Sequence, residues 1–205
     1  MNRSIFHASM VSDHYFFRPI ALGYRHAVPS PVRNSIRHFL NNLDSPPIFA
    51  NEVFQGEFKE AGITVLRFGV NSTVGVGGLF EVAEDWGLPR HTEDFGQTLG
   101  TYGMGEGPYL FLPLIGPAPP RDLAGRVVDN FLDPLTYVHM GSKGYLRYVR
   151  AGLDAVDLRE RNIETLDDIE RTSVDYYASI RSLYRQTRNN EISNGKTNVE
   201  NLPDF

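Results

Sequence analysis

The sequence predicts an all-α protein with a single domain, because polar residues recur at helical spacing within two long segments that carry almost no charge. Between residues 61 and 82 the only charged side chains are Arg67 and Glu81, and between residues 95 and 120 the only one is Glu106. The first segment places four polar groups at steps of four, three and four residues, along one side of a helix: Glu60, Thr64, Arg67 and Asn71. The other sides of this helix are apolar and therefore require burial in protein or lipid. The four polar side chains, which we call the polar file of the helix, must then face other polar groups or water.

Length, composition and charge restrict the classes of function. The chain has 205 residues, of which 41% are hydrophobic and 12% aromatic, and this is enough to close the core of a sizeable domain. We assign residues 1–190 to one helical domain and residues 191–205 to a polar, flexible tail. The net charge of -5 and the scattered basic residues disfavour binding to nucleic acid. Cysteine is absent, which excludes disulfides, thiolate metal sites and a cysteine nucleophile.

The chain carries no recognisable targeting or membrane-spanning segment. Its beginning, MNRSIFHASM, has one arginine and no apolar run of signal-peptide length, so we expect neither an export signal nor a lipid-attachment cysteine. A spanning helix needs about 20 consecutive apolar residues. Arg67, Asn71 and several glycines interrupt the best candidate, so we expect no ordinary transmembrane helix.

Three consecutive helices are predicted in the first half of the chain. The first begins at Ser30, which precedes a proline as at many helix N-termini. Its apolar face comprises Val32, Ile36, Phe39, Leu40 and Leu43. The second begins at Asp44 or Ser45 and ends at Gly56, and the third is the helix with the polar file, over residues 57–74.

A glycine- and proline-rich segment follows, over residues 75–120, and it has no clear period apart from a short strand predicted over residues 109–114. A stretch of this length without secondary structure points to a functional loop, and the alternative is an omega-type loop packed by its own aromatic side chains. Four of its glycines are similar to a phosphate-binding loop, but the P-loop lysine and a βαβ unit are missing, so we interpret them as a hinge. These glycines are Gly100, Gly103, Gly105 and Gly107.

A fourth helix is predicted from Pro120 towards Tyr137, with a break at Pro134. It repeats the pattern of a polar file on an apolar body, again at steps of four, three and four residues. This file comprises Asp122, Arg126, Asp129 and Asp133. Beyond it, residues 144–163 and 166–189 are predicted as two ordinary charged amphipathic helices, the second capped at Thr165.

Catalytic and metal-binding signals are weak. The histidines never occur at metal-ligand spacing, so no metal site and no cofactor are expected. One loop brings His91 close to Glu93 and Asp94, and this set could supply a general acid and base to a soluble hydrolase. Because nothing places a nucleophile beside it, we interpret the loop as solvated.

The two polar files allow two interpretations. If both helices lie among lipid tails, their charges turn towards a common polar interior, and this forms a passage with one charged and one aliphatic wall. Such a passage suits a phospholipid, which has a charged headgroup and aliphatic tails. In the alternative, the files face water while neighbouring helices cover the apolar surface, and periodicity alone favours this alternative.

Three motifs, DFGQTLG, GEGPYLFLP and VDNFLDP, occur in this order, after a long segment that runs from RPIALGYRHAVPS to GGLFEVA. Together they resemble the MlaA (VacJ) family of Gram-negative outer-membrane lipoproteins. The resemblance covers residues 2–137, and the last third of the chain matches only as charged helices.

The resemblance implies an all-helical ring within the inner leaflet of the outer membrane, bound to a trimeric porin. Such a protein takes phospholipids misplaced in the outer leaflet through a central amphipathic channel to a periplasmic carrier of the Mla system, without catalysis, and so maintains lipid asymmetry. The resemblance therefore favours polar files that face this channel, whereas periodicity alone favoured files that face bulk water. The expected channel-lining residues are then Arg67, Asn71, Asp122, Arg126, Asp129 and Asp133. The glycines at 100–107 become the flexible gating element.

One departure from the family concerns the beginning of the chain. Family members begin with a signal peptide, a lipidated cysteine and a segment ending in Phe-Asn-Arg, whereas Met1 here replaces that phenylalanine before Asn2 and Arg3. We therefore expect a chain truncated at its start, without its own export signal and anchor. Besides the hydrolase, a scaffold that only binds porin remains as an alternative.

Overall fold

The computed structural model describes residues 2–113, 115–137 and 145–194, and over these residues the protein is predominantly helical. The chain begins with α1 (Asn2–Ser12) and α2 (Arg18–Ala27), joined without a break by a π-helical turn over Asp13–Phe17. We made no helix prediction for these residues. The turn ends two residues before Pro19, whose ring removes one backbone donor from the helix.

The three predicted helices of the first half are confirmed. They are α3 (Ser30–Leu43), α4 (Ser45–Gln55) and α5 (Phe58–Thr73). Gly56 ends α4 in the left-handed conformation, with φ 77°, and its N–H bonds back to the last turn. The short link through Gly56 lays α4 directly against α5.

The glycine-rich segment contains more structure than its sequence predicts. It forms α6 (Val82–Asp85), α7 (Phe95–Thr101) and a small hairpin of β1 (Phe111–Leu112) and β2 (Gly116–Pro117), in which Phe111 pairs with Pro117. The prediction of a stretch without helices is wrong at α7, because Asp94 caps this helix by accepting from the N–H of Gln97. The predicted strand is confirmed in part, and Leu114 lies outside the described residues.

The last third begins with α8 (Pro120–Leu132), and a 3₁₀ turn at Pro134–Thr136 follows where the break was predicted. It continues with α9 (Tyr145–Arg161), α10 (Ile163–Thr172) and α11 (Tyr176–Ile192). The predicted single helix over residues 166–189 is wrong, because Asp175 starts a new helix by accepting from the N–H of Ala178. Of the predicted tail, residues 191 and 192 belong to α11, and residues 195–205 lie outside the described part.

The helix contacts form a closed circuit. In order, α3 contacts α4, α4 contacts α7, α7 contacts α11, α11 contacts α10, α10 contacts α9, and α9 returns to α3. Helix α5 packs on α3 and α4, and α8 packs on α4 and α7. The helices are thus arranged as a ring.

The contacts of α9 are ionic, which corrects the prediction of an ordinary amphipathic helix. Its Asp157 and Glu160 are buried, and they bind Arg37 of α3 and Arg25 of α2 at 3.0 and 2.8 Å. Its apolar residue Leu153 is 38% exposed. Helix α9 is therefore held by charge pairs rather than by hydrocarbon.

An aromatic cluster joins the two ends of the chain to the hairpin. Phe6 of α1 makes edge-to-face contacts with Phe111 of β1 and Tyr177 of α11, at centroid distances of 5.0 and 5.4 Å. Tyr109 packs on the same Tyr177 at 6.0 Å, and its carbonyl accepts from the amide of Asn2. This cluster is the main hydrophobic core in the described part of the molecule.

Helices α7 and α8 touch through their backbones. A Cβ added at Gly125 of α8 would lie 2.7 Å from the Cα of Gly96 in α7, closer than real Cβ contacts allow. Only glycine permits this crossing, which brings Asp122 of α8 close to Asp94 at the start of α7.

We predict that Gly125→Ala lowers the free energy of unfolding by about 2 kcal/mol, because the new methyl group must push two backbones apart. The matched control is Gly62→Ala in α5, where an added Cβ meets no atom within 4 Å. This control should stabilise the protein by up to about 1 kcal/mol through helix propensity. Thermal unfolding of the detergent-solubilised protein followed by circular dichroism measures both, and equal effects would contradict the close contact.

Candidate functional site

The polar file of α5 faces inwards and its apolar residues face outwards. Thr64, Arg67 and Asn71 are buried, whereas Phe58 and Leu66 are 70% and 57% exposed. Water-soluble proteins usually bury the apolar face of a helix and expose the polar one. The first of the two predicted files is therefore not exposed to bulk water.

The same inversion recurs in neighbouring helices. Helix α8 buries Arg121 and Asp122 and exposes Val127 and Phe131. Helix α4 buries its polar pair completely and exposes two phenylalanines. That pair is Asn51 and Glu52, and the phenylalanines are Phe49 and Phe54. The protein thus has a polar interior and an apolar exterior on these three helices, and exposed apolar surface of this kind marks contact with lipid or with another protein.

Hydrogen bonds satisfy the polar file of α5. Arg67 donates to the carboxylate of Glu81 and to the carbonyl of Leu88. Asn71 donates to Glu81 Oε1 at 2.8 Å and accepts from the N–H of Ala83 at 2.9 Å. These bonds fix the chain that follows α5, including α6, against the inner side of the helix.

The polar file of α8 is tied to α11 by Arg188. This side chain is buried, and it binds Asp94 at 2.6 Å and Asp122 at 3.1 Å. Burial alone would raise the pKa of Asp122, but hydrogen bonds from Arg121 and Tyr184 and the charge of Arg188 bring it below its ordinary value. Asp122 is therefore ionised and firmly held.

The other three residues of the polar file of α8 do not contact Arg188 and have partners of their own. Asp129 accepts from the amide of Asn51 at 2.8 Å and from the N–H of Phe95 at 3.0 Å, so it joins α8 to α4 and α7. Asp133 follows the end of the helix, where it binds Arg150 at 2.7 Å. Arg126 is exposed and donates to the carbonyl of Pro117. The four residues of this file therefore face different partners.

Three cavities lie along the inner side of these helices. The first, of about 20 Å³, is lined by Arg67, Asn71 and Glu81, and the third, of about 250 Å³, by Asp94, Asp122 and Arg126. The second lies between them and has a volume of about 620 Å³. Arg90 and His91 line both the first and the second cavity, and Glu191 lines both the second and the third.

Some of the residues predicted to line a channel lie on the walls of these three cavities, and others do not. Arg67 and Asn71 lie at one end and Asp122 and Arg126 at the other, whereas Asp129 and Asp133 are not part of these walls. Three of the four hinge glycines lie between α7 and β1, where Gly103 and Gly107 have φ of 87° and 75° and Gly105 meets no neighbour within 4 Å of an added Cβ. The fourth, Gly100, lies within α7, where an added Cβ would meet Ile192, so the prediction of a hinge there is wrong.

Sequence reasoning did not find several cavity residues. The sequence does contain a pattern that could have indicated Glu52, because Asn51 and Glu52 interrupt an otherwise apolar helix after two prolines. No such pattern indicates Arg90, since it lies in an irregular loop. Glu191 fell in the predicted tail. These positions are set by tertiary packing rather than by local periodicity.

The hydrolase interpretation receives no support. The Nδ1 atom of His91 is buried without a hydrogen-bond partner among the described residues, and the nearby carboxylates have other partners. Asp94 binds Arg188, and Glu93 accepts from the amide of Gln55. No acid therefore orients the imidazole as a general base. Across the described residues, no cluster of three potential metal ligands occurs.

Burial raises the pKa of carboxyl groups that line the second cavity. It brings the pKa of Glu93 to about 7 despite the hydrogen bond from Gln55, and the negative charges of neighbouring acids raise this pKa further. It also raises the pKa of Glu52. Both side chains are therefore carboxyls for which ionisation is unfavourable without a cation.

We predict that Glu93→Gln stabilises the protein at pH 8 by about 1 to 2 kcal/mol. The pKa of Glu93 is raised on folding from 4.5 to about 7, so its contribution to stability is present below pH 4.5 and is lost as the pH rises through 7. The neutral amide avoids this loss. Thermal unfolding at pH 4.5 and pH 8 measures the difference, with Glu84→Gln on the exposed side of α6 as the control. A gain that is independent of pH would contradict the burial of this charge.

None of the helices in the described part of the chain is both long enough and apolar enough to cross a bilayer.

Comparisons with known proteins agree with this architecture. A family model described as MlaA lipoprotein matches residues 1–191. A Haemophilus influenzae protein named "Intermembrane phospholipid transport system lipoprotein MlaA" is 34% identical over 199 residues, covering 95% of this chain and 78% of that protein. The protein of the same name from Escherichia coli K12 is 33% identical, covering 95% and 76%.

An uncharacterised protein from Rickettsia bellii is 36% identical over 188 residues, covering 91% of this chain and 72% of its own length. A solved structure, described as the structural basis for maintenance of bacterial outer membrane lipid asymmetry, superimposes with a TM-score of 0.83. It is 32% identical, and the match covers 93% of this chain and 96% of that one.

Proposed function

We propose that this chain, which belongs to the MlaA lipoprotein family, is an outer-membrane component of a phospholipid-transport system that maintains lipid asymmetry. The single observation that supports this most directly is the inverted burial of α4, α5 and α8 around a series of polar cavities. A phospholipid has a charged headgroup and apolar tails, and this arrangement offers a polar path beside apolar helix surfaces. Transport through such a path requires no catalysis.

The walls of the path are assigned from burial and cavity lining. Arg67 and Asn71 line one end, Asp122 and Arg126 line the other, and Asp129 and Asp133 position the helices that form the walls. The segment with Gly103, Gly105 and Gly107 acts as the gate, because its glycines allow backbone conformations that other residues resist.

The exposed apolar side chains support a position within the membrane. In this proposal they insert into the inner, periplasm-facing leaflet, where a trimeric porin covers part of them and a periplasmic carrier of the Mla system receives the lipid. Such burial in lipid explains why Phe58 and Leu66 face outwards, since each would cost free energy in water.

We predict that Leu66→Glu weakens membrane binding about tenfold or more, because a charged side chain would enter the hydrocarbon region. Val174→Glu is the control, since Val174 is exposed in the link between α10 and α11, where Ser173 and Asp175 flank it. Because its neighbours in the chain are polar, its replacement should leave membrane binding unchanged. Co-flotation with liposomes measures both variants, and equal binding would contradict the assigned apolar surface.

We predict that phospholipid and porin accompany the protein when it is purified from detergent-solubilised envelopes. Mass spectrometry identifies both, and outer-leaflet phospholipid in cells lacking their own family member measures transport directly. The protein should restore lipid asymmetry in these cells. A lipid-free protein that leaves outer-leaflet phospholipid unchanged would overturn the proposed function, and porin without lipid would favour a scaffold.

A further inference from the structure

The second cavity has many more acids than bases. Its walls contain Glu52, Glu57, Glu60, Glu93 and Glu191 against Lys59 and Arg90. Some of these acids already have partners in the protein, since Glu191 binds Arg188 and Glu57 accepts from the amide of Asn194. Glu52 and Glu93 have no basic partner in the part of the chain that the structure describes, and each accepts a hydrogen bond from an uncharged side chain.

Glu52 is the most informative of these residues. Its side chain is completely buried, and its Oε1 accepts from the hydroxyl of Thr64 at 2.9 Å. Its Oε2 has no hydrogen-bond partner among the described residues. A buried carboxylate oxygen without a donor is costly, and Glu52 lines the second cavity, so its free oxygen points to a donor supplied by a ligand in that cavity.

Arg90 provides the complementary charge. It lines both the first and the second cavity, and its nearest opposite charges, Asp44 and Glu81, do not form ion pairs with it. Both acids are bound elsewhere, Asp44 by Arg150 and Glu81 by Arg67. A guanidinium group that is not committed to a carboxylate is well suited to a phosphate.

We propose that the second cavity binds the headgroup of a zwitterionic phospholipid with a primary ammonium group, such as phosphoethanolamine. Glu52 and Glu93 accept hydrogen bonds from the ammonium group, and Arg90 binds the phosphate. This inference rests on the proposed function and adds a headgroup preference to it.

The same walls disfavour the other common headgroups. A trimethylammonium group has no N–H to give to Glu52, and proteins that recognise it surround it with aromatic faces. Phe58 is the single aromatic residue among those that line this cavity. A glycerol headgroup leaves the lipid with a net negative charge, which the surplus of carboxylates repels.

The test is a comparison of three lipids that differ only in headgroup. The full chain in detergent micelles is titrated with phosphatidylethanolamine, phosphatidylcholine and phosphatidylglycerol of the same acyl chains, and bound lipid is counted by native mass spectrometry. Phosphatidylethanolamine should bind about tenfold more tightly than the other two, the ratio expected from one charge-assisted hydrogen bond.

Variants identify the groups responsible. Glu52→Gln and Glu93→Gln should each abolish most of this preference without weakening phosphatidylglycerol binding, whereas Arg90→Gln should weaken all three lipids. Glu84→Gln, at an exposed position outside the three cavities, should change nothing. If Glu52→Gln does not fold, Glu93→Gln decides the matter alone.

The outcomes separate this proposal from the proposed function. Equal binding of the three lipids, or a preference that survives both Gln variants, would overturn the headgroup site and leave phospholipid transport intact. Failure to bind any of the three lipids would overturn both.

Discussion

The structure depends on ion pairs that join helices through charged side chains in its interior. Arg188 joins α11 to Asp94 and Asp122, and Arg37 joins α3 to Asp157 of α9. Removing one partner of a buried pair leaves a charge in a poorly solvated site, at a cost of about 3 to 5 kcal/mol. The C-terminal helices are therefore required for the shape of the apolar-faced helices, because they supply the opposite charges that allow a polar interior to exist.

This constraint relates the fold to its function. A protein that buries hydrocarbon has little room for a charged headgroup, whereas one that buries ion pairs can line cavities with them. The exterior of α4, α5 and α8 carries exposed apolar side chains such as Phe49, Leu66 and Phe131, which suit contact with lipid. The same inversion thus creates both the membrane-facing surface and the interior path.

Local periodicity and turn chemistry predicted much of the fold. The polar file of α5, the end of α4 at Gly56 and the break before Pro134 depend on near neighbours, and the structure agrees with them. The file of α8 could be placed only in part, because Asp133 lies beyond the helix end. The pairing of Asp122 with Arg188 spans 66 residues, so no local pattern contains it. Helix α7 and the loop residue Arg90 likewise owe their positions to tertiary packing.

The aromatic cluster has a mechanical consequence for the glycine segment. Its far end is fixed, because Phe111 and Tyr109 make edge-to-face contacts with Phe6 and Tyr177, and the backbone carbonyl of Tyr109 accepts a bond from Asn2. Its near end leaves α7 after Thr101, and its middle is held where Glu106 binds Arg185 at 2.5 Å. Any displacement of this segment is therefore confined to the seven residues between Thr101 and Tyr109, and it must first break that ion pair.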